Sequence, residues 1–375
     1  MRLIRDLHSL RESTRPSVVS IGNYDGVHVG HVKILDLLKA KSDALGGQAT
    51  VLTFEPHPHE FFSPMNAPPR LIRWRDKVEK LKAQDIHQVM TLRFNETLSQ
   101  TSAEDFVKQV LVDALNTQHV VVGDDFRFGR KRQGDVAMLE SLGHKYGFSL
   151  ATIDTCMFEG QRISSTRIRE ALRADNFNLA HRLLGYPFSI RGRVAHGDKR
   201  GRTIGFPTAN IVLPSDNLPV WGVYAVRAHF KNQPSKTGVA NVGIRPTVGG
   251  DRVLLETHLF DFDGDIYGCR IEIEFASKIR NEEKFESFQQ LKDQIERDAA
   301  AARAAARARR AADARVSSWT GENASAGMIE VSIFSTVASF SPLPSLLQKT
   351  DPPFSQAYRV VRPGQKQSKT QKVLP

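Results

Sequence analysis

The chain has 375 residues, 40% hydrophobic and 25% charged, with a formal net charge of +11. That length allows two domains with separate cores, and the composition is that of a globular enzyme rather than a fibrous chain. Two distant cysteines, Cys156 and Cys269, exclude a disulfide framework and a cysteine-based zinc site, predicting a reducing, cytoplasmic setting.

Residues 1–6 lack the apolar core of a secretory signal, and no run of about 18 apolar residues predicts a membrane span. From Glu296 onward, twelve Lys/Arg stand against six Asp/Glu, so the basic excess is weighted to the C-terminal end. The remainder is spread thinly, which suits anionic phosphorylated substrates. No basic-aromatic stacking pattern marks a nucleic-acid module.

The first half alternates strand-like runs (18–21, 49–54, 88–94, 119–122, 148–154) with helical periodicity (32–44, 75–84, 103–115, 136–146). This predicts a parallel sheet with helices on both faces, its ligands bound at the carboxyl ends of the strands. One such end carries Gly22-Asn23-Tyr24-Asp25-Gly26-Val27-His28-Val29-Gly30-His31. Glycines let the backbone approach an anion, and a helix N-terminus directs N–H groups towards it. Histidines three apart add donors for nucleotide phosphates, against the alternative of a Gly-rich turn with two exposed histidines. Gly123-Asp124-Asp125-Phe126 occupies a second strand end.

Ser164-Ser165-Thr166 opens a helix over 167–173, where the serines read as caps and Arg167 and Arg169 as phosphate holders, roles that coexist. A short helix at 179–184 closes this half. From about Phe188 short β-like runs take over (189–194, 223–230, 237–242, 254–260, 270–279), predicting a compact β-barrel, then a helix over 287–299. Here Gly197, Gly201 and Gly205 recur every fourth residue beside Lys199, a loop able to wrap phosphates. Thr208 and Asn210 place two neutral oxygens on one face of an extended segment, a donor set suited to Mg²⁺ or, equally, a satisfied polar turn. Glu256, in Leu254-Leu255-Glu256-Thr257-His258, is either an outward strand residue or a base at the barrel mouth. After Asp298 the chain turns Ala/Arg-rich, helix-prone but without an apolar stripe. Residues 316–375 are rich in Ser, Pro, Gln and Lys, a composition that predicts disorder.

These motifs together resemble the bifunctional bacterial riboflavin kinase/FMN adenylyltransferase family, from about residue 3 to 298. The resemblance rests on the His28–His31 motif, Phe54-Glu55-Pro56-His57-Pro58, Gly123-Asp124-Asp125-Phe126-Arg127-Phe128-Gly129 and Ile163-Ser164-Ser165-Thr166. In the second half it rests on Gly205-Phe206-Pro207-Thr208-Ala209-Asn210, Gly222-Val223-Tyr224, Ala240-Asn241-Val242-Gly243 and Arg245-Pro246-Thr247. It implies an α/β fold: a Rossmann-like nucleotidyltransferase domain over 1–186, a β-barrel riboflavin kinase domain over 187–300, and a low-complexity tail over 301–375. It implies ATP-dependent phosphorylation of riboflavin to FMN, with Glu256 as general base and Thr208 and Asn210 holding Mg²⁺–ATP. It also implies adenylylation of FMN to FAD with release of pyrophosphate, His28 and His31 stabilising charge on the phosphates.

The implied ATP contacts further include Gly22, Tyr24, Asp25, Gly30, Asp125, Ser164, Thr166 and Arg169 in the first domain, and Gly197, Lys199, Gly201 and Gly205 in the second. Phe54, Pro56, Pro58, Phe126, Phe128 and Thr257 form the implied flavin side. Riboflavin, FMN and ATP are the implied partners, without nucleic acid or membrane. Two departures stand out: Tyr24 where Phe is common, and the Ala/Arg tail in place of an apolar closing segment. The second leaves an alternative, adenylyl transfer alone with the kinase impaired.

Overall fold

The structure is a computed structural model that describes residues 1–5, 15–195, 206–213, 217–247, 250–323 and 358–361. The glycine loop with Gly197, Lys199, Gly201 and Gly205 lies outside the described residues. Contacts divide the chain into one unit of Met1–Pro68, Ile72–Ser165 and Pro352–Pro375 and another of Pro69–Leu71 and Thr166–Asp351.

The first unit runs β1 (Arg2–Ile4), β2 (Ser17–Ile21), α1 (Val29–Ala44), β3 (Gln48–Glu55), α2 (Pro58–Phe62), α3 (Trp74–Ala83), β4 (Gln88–Arg93), α4 (Glu96–Gln100), α5 (Ala103–Phe106), β5 (Thr117–Gly123), α6 (Val136–Tyr146) and β6 (Ser149–Ile153). A π-helical run, Val107–Ala114, continues α5. Strand order is β1-β4-β3-β2-β5-β6, every pair parallel. Helices cover both faces, so β2 is buried along its whole length and its side chains divide by alternation. Val18, Val51, Val89 and Val121 pack with Leu35, Leu38 and Leu81 of α1 and α3. Val19, Leu52, Met90 and Val120 pack with Phe106, Leu111, Leu139 and Leu142 on the other face. Each such side chain contributes roughly 1.5–3 kcal/mol by leaving water. The chain steps outward from β2 to β3 on one side and to β5 on the other. The crevice between the carboxyl ends of β2 and β5 is therefore the topological switch point where ligands bind. Both glycine turns singled out in the sequence open there.

A two-stranded hairpin, β7 (Met157–Phe158) with β8 (Gln161–Arg162), precedes α7 (Ser165–Arg173) and α8 (Phe177–Leu184). Then come β9 (Ser189–Ala195), β10 (Thr208–Leu213), β11 (Gly222–His229), β12 (Lys236–Thr247), β13 (Gly250–Leu259) and β14 (Arg270–Arg280), closed into an antiparallel barrel in the order β10-β13-β12-β11-β14-β9. Closure leaves no edge strand exposed to other chains. Phe177 of α8 stacks on Phe275 and meets Tyr224 edge-on, and Asp175 pairs with Lys278 at 3.0 Å. α8 thus packs on the barrel, and the contact division falls just before α7.

The closing helix also differs from expectation. It is one element, α9 (Phe288–Asn323), running through the Ala/Arg stretch. Ala299 and Ala302 are buried among Val223, Ala225, Val239 and Phe260, with Ala305 alongside. Methyl groups three apart make a flat stripe that lets helix and barrel approach closely. Arg303 covers the Phe260 ring at 4.2 Å and pairs with Asp261, and Arg309 meets the buried Glu274 at 2.7 Å. Within the stretch expected to be disordered, β15 (Tyr358–Val361) pairs antiparallel with β6. A run with one aromatic and two β-branched residues, Tyr-Arg-Val-Val, suits an otherwise open sheet edge.

Candidate active sites

In the first unit the turn after β2 reverses sharply before α1. Tyr24 and Val27 hold positive φ (49° and 39°), as does Gly26 (85°). A buried aromatic residue in that region costs about 1–3 kcal/mol unless its surroundings fix it. Here the Tyr24 hydroxyl donates to Ser20 Oγ at 2.6 Å, and Ser20 Oγ donates to the Val121 carbonyl at 2.7 Å. The hydroxyl that distinguishes Tyr24 from Phe thus ties the turn to both switch-point strands. Burial pushes its pKa well above the ordinary phenol value, so the hydroxyl stays protonated.

His28 caps α1. Its Nδ1 accepts from the His31 N–H at 3.3 Å, which places the ring proton on Nε2. The His28 and His31 rings stack 3.6 Å apart at 14°. A side chain at Gly30 would press on the His28 ring at 3.2 Å. The His31 pKa is held well below the usual imidazole range, by burial first and then by electrostatic repulsion from the neighbouring His28 and Lys77. It is therefore an uncharged ring at neutral pH, and its buried Nδ1 has no partner among the described residues. Gly22 lies at the end of β2. Asp25 is buried, its carboxylate accepting from Ile72 N–H and its carbonyl from Ser165 Oγ at 2.9 Å.

The second switch-point turn is closed by Phe126 N–H donating to the Gly123 carbonyl at 3.2 Å. Asp125 is exposed and pairs with Arg162 at 2.6 Å. Phe126 stacks on Phe128, but Phe128 is 7% exposed within the core, so its ring is structural rather than open to a ligand. Pro56 and Pro58 bracket the start of α2. Beyond them Phe54, Phe61, Phe62 and Phe94 form an edge-on aromatic cluster with centroids 5.3–5.9 Å apart, Phe62 being 62% exposed. Phe61, Phe62 and Phe94 were missed from sequence, although the Phe61-Phe62 doublet after a proline-rich turn was a usable signal. Ser164 immediately precedes α7. In the second unit Thr166 is exposed, and buried Arg169 donates from Nε to the Pro69 carbonyl at 2.6 Å.

In the barrel, register places Asn210 of β10 opposite Glu256 of β13, and Glu256 opposite Asn241 of β12. Cross-strand partners share a face, so these three lie in one row, with Thr208 and His258 the next row along. Thr257, alternating with Glu256, lies on the opposite face at 1% exposure and does not join them. A cavity of about 420 Å³ opens on this face, lined by Thr208, Asn241, Glu256 and Arg245, with Leu291 and Ile295 of α9 as its apolar side. Glu256 Oε2 accepts from Arg245 Nε at 2.9 Å and Nη2 at 2.7 Å, which orients the carboxylate. Arg245 Nη1 also reaches Glu282 Oε1 at 3.1 Å, and Asn241 donates to the same oxygen at 2.9 Å. Burial works against the Arg245 charge, but Glu256 and Glu282 together raise its pKa. A Cβ at Gly243 would overlap the Glu282 carboxylate, so a side chain there would have to displace Glu282 from Arg245 and Asn241. Asn241 Oδ1 is buried with no partner among the described residues, a polar atom fit to face a ligand.

Arg280 clamps Asp298 through Nε and Nη2 at 2.8–3.0 Å, and Gln294 adds a bond to Asp298 at 2.8 Å, fixing α9 at the cavity. The two side chains are 17% and 5% exposed, so removing one charge strands the other. Asp298→Ala should destabilise the second unit by about 3 kcal/mol. A urea titration checks this, and an unchanged midpoint contradicts it.

One unit is thus an α/β sheet with a stacked histidine pair capping the helix at its switch point, the arrangement of a nucleotidyltransferase. The other is a closed barrel presenting a carboxylate and neutral oxygens to a cavity, as phosphoryl transfer requires. The FAD synthetase family model matches residues 10–167 and the riboflavin kinase family model residues 184–306. The bifunctional riboflavin kinase/FMN adenylyltransferase of Haemophilus influenzae is 48% identical over 304 residues, 81% of this chain and 99% of that protein. That of Escherichia coli K12 is 45% identical, covering 81% of this chain and 97% of that protein. A crystal structure from Streptococcus pneumoniae, described as a macrolide-efflux protein, superposes with a TM-score of 0.69 at 30% identity, covering 80% of this chain and 97% of that one. The chain belongs to the bifunctional riboflavin kinase/FMN adenylyltransferase family. Among the described residues, no helix is long and apolar enough to cross a membrane.

Proposed function

We propose that this chain makes FAD from riboflavin in two ATP-dependent steps on its two units. The observation that carries the reading is that each family model falls on a separate unit, each with its own candidate phosphate site. In the second unit, the riboflavin 5′-hydroxyl oxygen attacks the γ-phosphorus of ATP. Glu256 takes the hydroxyl proton on Oε1 while Arg245 holds Oε2, and ADP leaves with FMN as product. The oxygens of Thr208 and Asn210, neutral and two residues apart on one strand face, would hold Mg²⁺. When bound, that ion neutralises charge on the phosphates.

In the first unit, a phosphate oxygen of FMN attacks the α-phosphorus of a second ATP. The bond from that phosphorus to the oxygen bridging to the β-phosphate breaks, and pyrophosphate leaves. His28 Nε2–H and the uncharged His31 ring donate to phosphate oxygens, and the N–H groups of α1 add their partial positive charge. Gly22, Tyr24, Asp25 and Gly30 shape this cradle, with Asp125 and Ser164 as further ATP contacts. Phe54, Pro56, Pro58 and Phe126 serve the flavin side. Burial of Ala299 and Ala302 and the Arg280–Asp298 clamp favour an intact kinase over the alternative of adenylyl transfer alone. We place the enzyme in the cytoplasm on its small-molecule substrates and two unpaired cysteines.

Incubation with riboflavin, ATP and Mg²⁺, followed by chromatography, tests the reading. FMN should rise first and FAD follow. FAD formed from supplied FMN but no FMN from riboflavin would leave the adenylyl-transfer reading alone standing.

A further inference from the structure

Lys77 of α3 has no exposed surface, in a helix whose other lysines, Lys80 and Lys82, reach solvent. Its ammonium donates to the Asn23 carbonyl at 2.7 Å and lies 2.9 Å from His57 Nε2. Thr53 Oγ1, at the end of β3, also reaches the Asn23 carbonyl at 3.4 Å. Asn23 precedes Tyr24, where the phosphate turn takes its left-handed bend, and His57 stands between Pro56 and Pro58, where the chain enters α2. Lys77 therefore joins the histidine turn to the segment on the flavin side. Taking an ammonium wholly out of water costs several kcal/mol, and an apolar side chain of similar shape usually serves stability as well or better. Stability alone does not explain a lysine here.

We propose that Lys77 is a positioning residue for adenylyl transfer, holding the phosphate turn and the flavin-side loop in register through Asn23 and His57. The proposal rests on reading the His28 turn as the adenylyl-transfer site. A shift of about 1 Å between reacting groups costs on the order of a hundredfold in rate, so the tie acts on kcat more than on substrate affinity. The Lys77 charge also helps keep His31 uncharged, consistent with an ammonium beside the cradle.

The test compares wild type, Lys77→Met, His57→Leu, His57→Gln and the Lys77→Met/His57→Leu double variant, each assayed for FAD formation from FMN and for unfolding in urea. Lys77→Met should lose about a hundredfold in kcat, with KM for ATP and FMN within about threefold of wild type. Its unfolding midpoint, read on the same preparation, separates a loss of folding from a loss of kcat. The double variant should be no slower than either single variant, because both cut one tie. His57→Gln, whose amide still meets the ammonium, should retain most activity. Full kcat in Lys77→Met, or losses that multiply in the double variant, overturn the proposal. If Lys77→Met does not fold, the His57 pair decides, and full activity in His57→Leu overturns it. A His28→Ala control separates the two readings: activity surviving there defeats the site assignment itself, whereas its loss with Lys77→Met unaffected defeats this inference alone.

Discussion

Replacing Glu256 by glutamine should slow riboflavin phosphorylation about a thousandfold, the middle of the range for losing a general base. Glutamine keeps the size of the side chain and an oxygen for Arg245, whose other carboxylate partner, Glu282, remains. The cavity, the Asn210–Glu256–Asn241 row and the apolar wall from α9 should persist, so KM for riboflavin should change little. What is lost is an oxygen able to take the hydroxyl proton. FAD formation from supplied FMN should proceed at the wild-type rate, because that chemistry belongs to the other unit. Steady-state rates of both reactions on one preparation check this. Parallel loss of both would refute separate sites.

His28→Ala should reverse the pattern, lowering FMN adenylylation about a hundredfold to a thousandfold while FMN still accumulates from riboflavin. The substitution removes two things. One is the Nε2 donor towards the phosphates. The other is the N-cap, in which Nδ1 accepts the His31 N–H, worth about 1 kcal/mol. His28→Asn separates them, because a short amide oxygen restores the cap without reaching the phosphates. The asparagine variant should unfold at the wild-type urea midpoint yet remain as slow as the alanine variant. If it recovered activity along with stability, His28 would be a cap and nothing more.

Much of this architecture could be read from residue patterns. All five predicted strands of the sheet fall within a residue or two of the observed ones, because a strand buried on both faces is a continuous apolar run. The His28 turn is legible because glycine spacing and histidine pairing are local. β10 was recognised as extended rather than as a barrel strand, since its pairing with β9 and β13 involves residues distant in sequence. The Ala/Arg helix was underestimated because alanine does not register as an apolar stripe, yet Ala302 is 1% exposed. Lys77 could not be told from Lys80 or Lys82 by type, since only the fold decides which lysine is sealed inside. Glu282 likewise sits in a charged run, Asn281-Glu282-Glu283-Lys284, that reads as solvent-facing until the barrel brings it to Arg245 and Asn241. Thr257 and Phe128 show the converse, residues in the right motif whose side chains turn into a core.

The account stands on two separate nucleotide sites, one at the sheet's switch point and one at the barrel cavity. Equilibrium titration of the whole chain with a non-hydrolysable ATP analogue and Mg²⁺ counts them directly. Two analogue molecules should bind per chain, with His28→Ala weakening one event and Thr208→Val the other. A single bound nucleotide, or one event weakened by both substitutions, would contradict it.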